Sequence, residues 1–247
     1  MTLLKIAFSL AILFVILLAG WLPFHKRVNN ESLDFPIGET LATGIFLGAG
    51  LLHMLPESNT LFHELGYHYP YAYVLTGVLF LLFLWLEHLG KELYHHNASH
   101  PAFAILAWAM LSIHSLILGA ALGINNSNSL VIMLFLAIIT HKWAESFAIS
   151  VQLNKTSLGK IPRLFFFLSF SLMTPLGVWI GWYFGRTVES HTLIDPILMA
   201  ASAGTFLYLG TLHGLERCVL VKRCCNLSDF SFVIIGFLLM GMVAIYV

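Results

Sequence analysis

Long apolar runs follow one another along this chain with only short connections between them, and that pattern leaves it few ways to fold. About eight runs meet the requirement of roughly 20 apolar residues for a helix that crosses a bilayer. They lie at approximately 3–23, 38–58, 70–90, 102–124, 129–152, 163–186, 196–216 and 229–247. Hydrocarbon offers no hydrogen bonds to a bare backbone, so runs of this length satisfy their N–H and C=O groups internally, as α-helices. The expectation is an all-α polytopic membrane protein, one transmembrane domain over residues 1–247 with no soluble domain between spans. Composition agrees: 10% of the residues are charged and 59% hydrophobic, against about 25% charged in soluble domains. The net charge is zero, so nothing points to nucleic acid as a partner.

Orientation follows from the basic residues. Lys26 and Arg27, Lys91, Lys155, Lys160 and Arg163, and Arg217, Lys222 and Arg223 fall after odd-numbered spans, whereas connections after even spans carry only Arg186. The positive-inside rule places both termini outside the cytoplasm, in a multi-pass protein of the cell (plasma or inner) membrane. The first run sits where a secretion signal would. It is long, however, and its exit from Trp21 to Arg27 has no small-x-small cleavage pattern, so a retained helix is expected. Cys218, Cys224 and Cys225 then face a reducing compartment and suit no disulfide framework. Gly44 with Gly48 and Gly119 with Gly123 have the spacing of close helix contacts, and Pro175 in the sixth run predicts a kink.

Chemistry enters through histidine, present 12 times, as often as Lys and Arg together. His114-Ser115-Leu116-Ile117-Leu118-Gly119 lies in the fourth run and His141-Lys142-Trp143-Ala144-Glu145 in the fifth. Ionisable side chains at membrane depth are costly and mark functional sites by default. His141 and Glu145, four apart, share one helix face. At 1.5 Å per residue His114 lies about 15 Å and His141 about 18 Å below the outer ends of their helices, close to the bilayer midplane where transporters hold substrate. Two imidazoles and a carboxylate suit a first-row divalent cation such as Zn²⁺. Interhelical hydrogen bonds around a neutralised Glu145 are the bland alternative.

These residues resemble the ZIP (Zrt/Irt-like) divalent-metal transporters, which carry His-Asn/Ser-x-x-Glu-Gly in span four and His-Lys-x-x-Glu in span five. The similarity extends to Gly48-Ala49-Gly50-Leu51-Leu52-His53-Met54-Leu55-Pro56-Glu57, to Phe170-Ser171-Leu172-Met173-Thr174-Pro175-Leu176-Gly177, and to Ala203-Gly204-Thr205-Phe206-Leu207-Tyr208. It implies a bundle of eight spans in which one, four, five and six move against two, three, seven and eight, with a homodimer formed through the latter group. It also marks a departure. The family's span-four glutamate, shared by the two halves of a binuclear centre, falls at Leu118, and the usual prolines at Ile117 and Ala144. Lys142 stands where some members place an acidic ligand for a second metal. The expected centre is therefore His114, His141 and Glu145 with one ion, flanked by Ser115, Leu118 and Lys142.

His53 and Glu57, four apart in span two, form a candidate entrance, with His63, Glu64 and His68 in the next loop. Glu87, His88, His213 and Glu216 form a candidate release path on the cytoplasmic side, and His95, His96 and His100 resemble a short version of the family's histidine-rich loop. The favoured function is transport of a divalent metal towards the cytoplasm. Zn²⁺ would be the substrate, with Cd²⁺, Fe²⁺ or Mn²⁺ as further candidates and no organic cofactor. Two other readings stay open: an intramembrane zinc-dependent hydrolase, since two His and one Glu is also a hydrolytic ligand set, and a non-transporting metal-sensing relative. No His-Glu-x-x-His occurs, which weighs against the enzyme.

Overall fold

The structure is a computed structural model. It describes residues 3–25, 35–93, 101–125, 127–184, 193–212, 214–215 and 227–245. Every regular element among them is helical: α1 (Leu3–His25), α2 (Pro36–Gly48), α3 (Leu55–Glu64), α4 (Tyr71–Leu93), α5 (Ala102–Ile124), α6 (Asn128–Asn154), α7 (Lys160–Phe184), α8 (Ile194–Tyr208) and α9 (Leu227–Ala244). Among the described residues, seven helical segments are long and apolar enough to cross a membrane. The run expected at 196–216 corresponds to α8, whose 15 α-helical residues are followed by π-helical backbone at 209–212 and 214–215.

Burial is inverted relative to a soluble domain. Phe14, Leu81, Phe165 and Leu238 are more than half exposed, while Lys142, Glu145 and His141 are completely buried. Large apolar side chains turned outward at this density suit a hydrocarbon surround. The chain is an all-α, multi-pass membrane protein.

The second expected span differs from a plain helix. α2 and α3 are joined by a π-helical turn at Ala49–Met54, giving one helical run over Pro36–Glu64. Pro56 has no N–H to give the carbonyl four residues back, and the turn before it widens to the i→i+5 pattern, with Leu55 N–H on Gly50 O. Such single turns often sit at functional positions; this one holds His53.

The helices fall into two compact units. One contains α1, α6 and α7 with α5 from Ala104 onward, and the other α2, α3, α4, α8 and α9. These are the two groups of spans that the resemblance implied. In the first unit α1 packs on α6 and α7. Ser146 Oγ donates to Ile16 O at 2.6 Å, Asn154 Nδ2 to Pro23 O at 2.6 Å, and Lys5 Nζ to Gly123 O at 2.7 Å. α5 meets α7 at backbone distance: a Cβ on Gly119 would lie 2.2 Å from Thr174 O, and one on Gly177 2.1 Å from Leu116 O. In the second unit α2 packs most extensively on α9 and α4 on α8. Ser58 Oγ donates to Pro196 O at 2.7 Å and Thr76 Oγ1 to Ala200 O at 3.1 Å. With no hydrophobic force between helices in lipid, close packing and such bonds supply the association.

Candidate metal centre

The first unit positions all the polar side chains of the fourth and fifth runs. α5 carries His114 and Ser115; α6 carries His141, Lys142 and Glu145. On α6, Glu145 follows Lys142 by three residues and His141 by four, so both lie one turn from its carboxylate. The two carboxylate oxygens have different surroundings. Oε1 faces His141 Nε2 at 3.5 Å and His114 Nε2 at 3.7 Å. Oε2 accepts from Lys142 Nζ at 2.7 Å. The same ammonium donates to Ser115 Oγ, whose own proton goes to Leu111 O at 2.5 Å. Phe170 of α7 completes the Lys142 pocket, its ring centre 4.9 Å from Nζ, within cation–π range.

This arrangement can hold one cation. The ligand atoms of His114, His141 and Glu145 all lie within 4.8 Å of one another, the one such cluster of three among the described residues. A tetrahedral ion bound at about 2.0–2.1 Å sets neighbouring ligand atoms about 3.4 Å apart. The two N···O separations are close to that value and too long for hydrogen bonds. Oε1 of Glu145 is buried without a hydrogen bond, and a buried acceptor left in this way calls for a ligand or ion. Oε2 meanwhile keeps its ammonium, so the two oxygens of one carboxylate face different partners.

Residues 96–244 match the family model described as ZIP Zinc transporter, well over half of the chain. The chain belongs to the ZIP family. Two similar relatives are "Zinc transporter ZIP2" of Mus musculus, 26% identical over 98% of this chain and 97% of the relative, and "Zinc transporter ZIP2" of Homo sapiens, 25% identical over 92% and 90%. A third, "Fe(2+) transport protein 1" of Arabidopsis thaliana, is 23% identical over 80% of this chain and 72% of its own. The ZIP match includes α5 and α6 and so the whole cluster just described.

Of the other expected residues, His53, Glu57, Glu87 and His88 lie in the second unit and Leu118 in the first. His53 Nδ1 is 3.6 Å from Glu57 Oε2, with His53 buried and Glu57 about a third exposed. Glu87 Oε2 accepts from the buried Tyr208 hydroxyl at 2.5 Å, and the exposed His88 turns Nδ1 to Leu84 O at 3.2 Å. Leu118 is buried, one turn along α5 from His114. His213 and Glu216 lie outside the described residues, as do His95, His96, His100, Cys218, Cys224 and Cys225. Phe170 and Tyr208 sat within the recognised strings, but spacing alone does not single out a ring over an ammonium or a hydroxyl on a carboxylate from another helix.

Proposed function

We propose that this ZIP protein carries divalent metal ions, Zn²⁺ foremost, across its membrane towards the cytoplasm, with His114, His141 and Glu145 as the ion's ligands in transit. The observation that carries the proposal is the convergence of three borderline ligands on one buried point beside Glu145 Oε1. The names of the ZIP2 relatives support zinc as the substrate. That of the plant relative keeps Fe²⁺ within the chemistry of the family. All three are named for transport, which speaks against a hydrolase.

Three protein ligands bind firmly enough to select, and leave a coordination position for water through which an ion exchanges. Lys142 fixes the stoichiometry at one: an ammonium on Oε2 occupies the space a second cation would need and repels it. Leu118, at the position of the family's span-four glutamate, supplies no ligand. His53 and Glu57 form an entrance and Glu87 with His88, His213 and Glu216 a way out. The two units move against each other as the ion passes, in a homodimer with both termini outside the cell membrane. Reconstituted protein in liposomes is expected to accumulate radiolabelled Zn²⁺ above empty vesicles, and Glu145→Ala protein to match the empty vesicles. Equal flux by wild type and Glu145→Ala would remove the site from the pathway.

A further inference from the structure

Away from the buried cluster, the end of α3 brings two exposed imidazoles together. Gly66 adopts φ +84°, a conformation that glycine reaches without a Cβ penalty. Its N–H bonds to His63 O at 2.9 Å, and the next N–H, of Tyr67, to Phe62 O at 3.0 Å. These are the paired bonds of a Schellman cap, which satisfy the last carbonyls of a helix. The apolar contact of that motif is present too: the Tyr67 ring meets Phe62 edge-on at 6.4 Å and Tyr71 at 5.8 Å. The reversal carries His68 back beside His63, with ring centroids 5.7 Å apart and planes at 44°. Both histidines are exposed.

Zn–N bonds of about 2.0–2.1 Å from one nitrogen of each ring hold two imidazole centres about 5–6 Å apart. The observed spacing meets this before any ion arrives. Helix C-termini carry partial negative charge that favours a cation, and the exposed Glu64 adds to it. His63 is one residue from the end of one membrane-length helical run, and His68 lies in the connection 65–70 to the next, so the exposed pair sits where two spans meet end to end.

We infer that His63 and His68 form a second divalent-cation site, independent of the buried centre, held ready by the Gly66 turn. Its chemistry selects borderline first-row ions such as Zn²⁺ over Mg²⁺ or Ca²⁺, which prefer oxygen. Two protein ligands leave the remaining positions to water, so the site is weak and exchanges quickly.

Calorimetric Zn²⁺ titration of the full chain in nanodiscs, carrying Glu145→Ala to silence the buried centre, tests this directly. A residual weak site is expected. His63→Ala or His68→Ala is expected to weaken it on the order of a hundredfold, because the second ligand then no longer acts at high effective concentration. The double variant is expected to add little. Gly66→Ala keeps both imidazoles but strains the turn, and is expected to weaken binding in part. If Glu145→Ala does not fold, the same histidine variants are read on the weaker of two steps in the otherwise native chain. Residual binding that survives both single histidine variants, equal binding of Mg²⁺, or no residual binding at all would overturn the assignment. Loss of the tight step alone concerns the buried centre and leaves this one standing.

Discussion

Glu145 divides its two oxygens between an ammonium at 2.7 Å and a pair of imidazole nitrogens at 3.5 and 3.7 Å, and most of the residue-scale consequences follow from that division. Lys142 is the only formal positive charge in contact with the carboxylate among these residues. Removing one partner of a buried pair strands the other charge at a cost of about 3–5 kcal/mol. Lys142→Met is therefore expected to lower the thermal midpoint of the metal-free protein strongly, and Zn²⁺ to restore much of the loss by binding the folded state. A Lys142→Met midpoint indifferent to Zn²⁺ would count against the shared carboxylate. His141→Ala and Glu145→Ala are each expected to weaken Zn²⁺ affinity in a binding titration, and His96→Ala to leave it unchanged. Leu118→Glu places a carboxylate one turn from His114 on α5. It should tighten binding and make the thermal midpoint respond more to Zn²⁺ than wild type; a titration and melting curve equal to wild type would mean that Leu118 does not face the centre. The convergence of His114, His141 and Glu145 was legible because a helix puts i and i+4 on one face and because charge is rare at membrane depth. Ser115 as the relay from Lys142 to Leu111 O, and Phe170 over the ammonium, were not. Their geometry depends on how α5 and α7 pack against α6.

At the scale of elements, glycine sets the distance between helices that bear the site. A Cβ on Gly177 would meet Leu116 O at 2.1 Å, Ala120 N at 2.9 Å and Gly119 Cα at 3.0 Å, all of them backbone, so relief requires a helix to move. Ala gains up to about 1 kcal/mol over Gly in helix propensity, but overpacking of a close contact costs about 1–3 kcal/mol, and the clash wins. Gly177→Ala is expected to lower the thermal midpoint in detergent and to loosen Zn²⁺ binding through a shift of α5 under His114; an unchanged midpoint would place α5 and α7 farther apart. The spacing of Gly119 and Gly123 announced such a contact, but not its partner on α7. Element ends were less legible. Apolarity stops near Glu57, whereas the helix continues to Glu64 because polar residues remain helical until Gly66 turns the chain. The π turn before Pro56 depends on how the backbone redistributes one missing donor, which no periodicity records.

For the whole molecule, length and apolarity were enough to give an all-helical multi-pass chain, since lipid leaves the backbone no other economical solution. Which helices cluster was not readable from hydropathy; it came through the family likeness and reappears in the two compact units. Among the described residues, the ion-pair, hydrogen-bond and ring partners given above for Glu145 and Lys142 come from α5, α6 and α7. With Lys142 on one oxygen of Glu145, one ion per chain is expected at that centre. Anomalous diffraction from crystals of the full chain grown with Cd²⁺ tests this most directly. The account predicts a single Cd²⁺ bonded to His114, His141 and Glu145 Oε1, with Lys142 still on Oε2. Absence of Cd²⁺ from that cluster, or two ions bridged by Glu145 with Lys142 displaced, would contradict it.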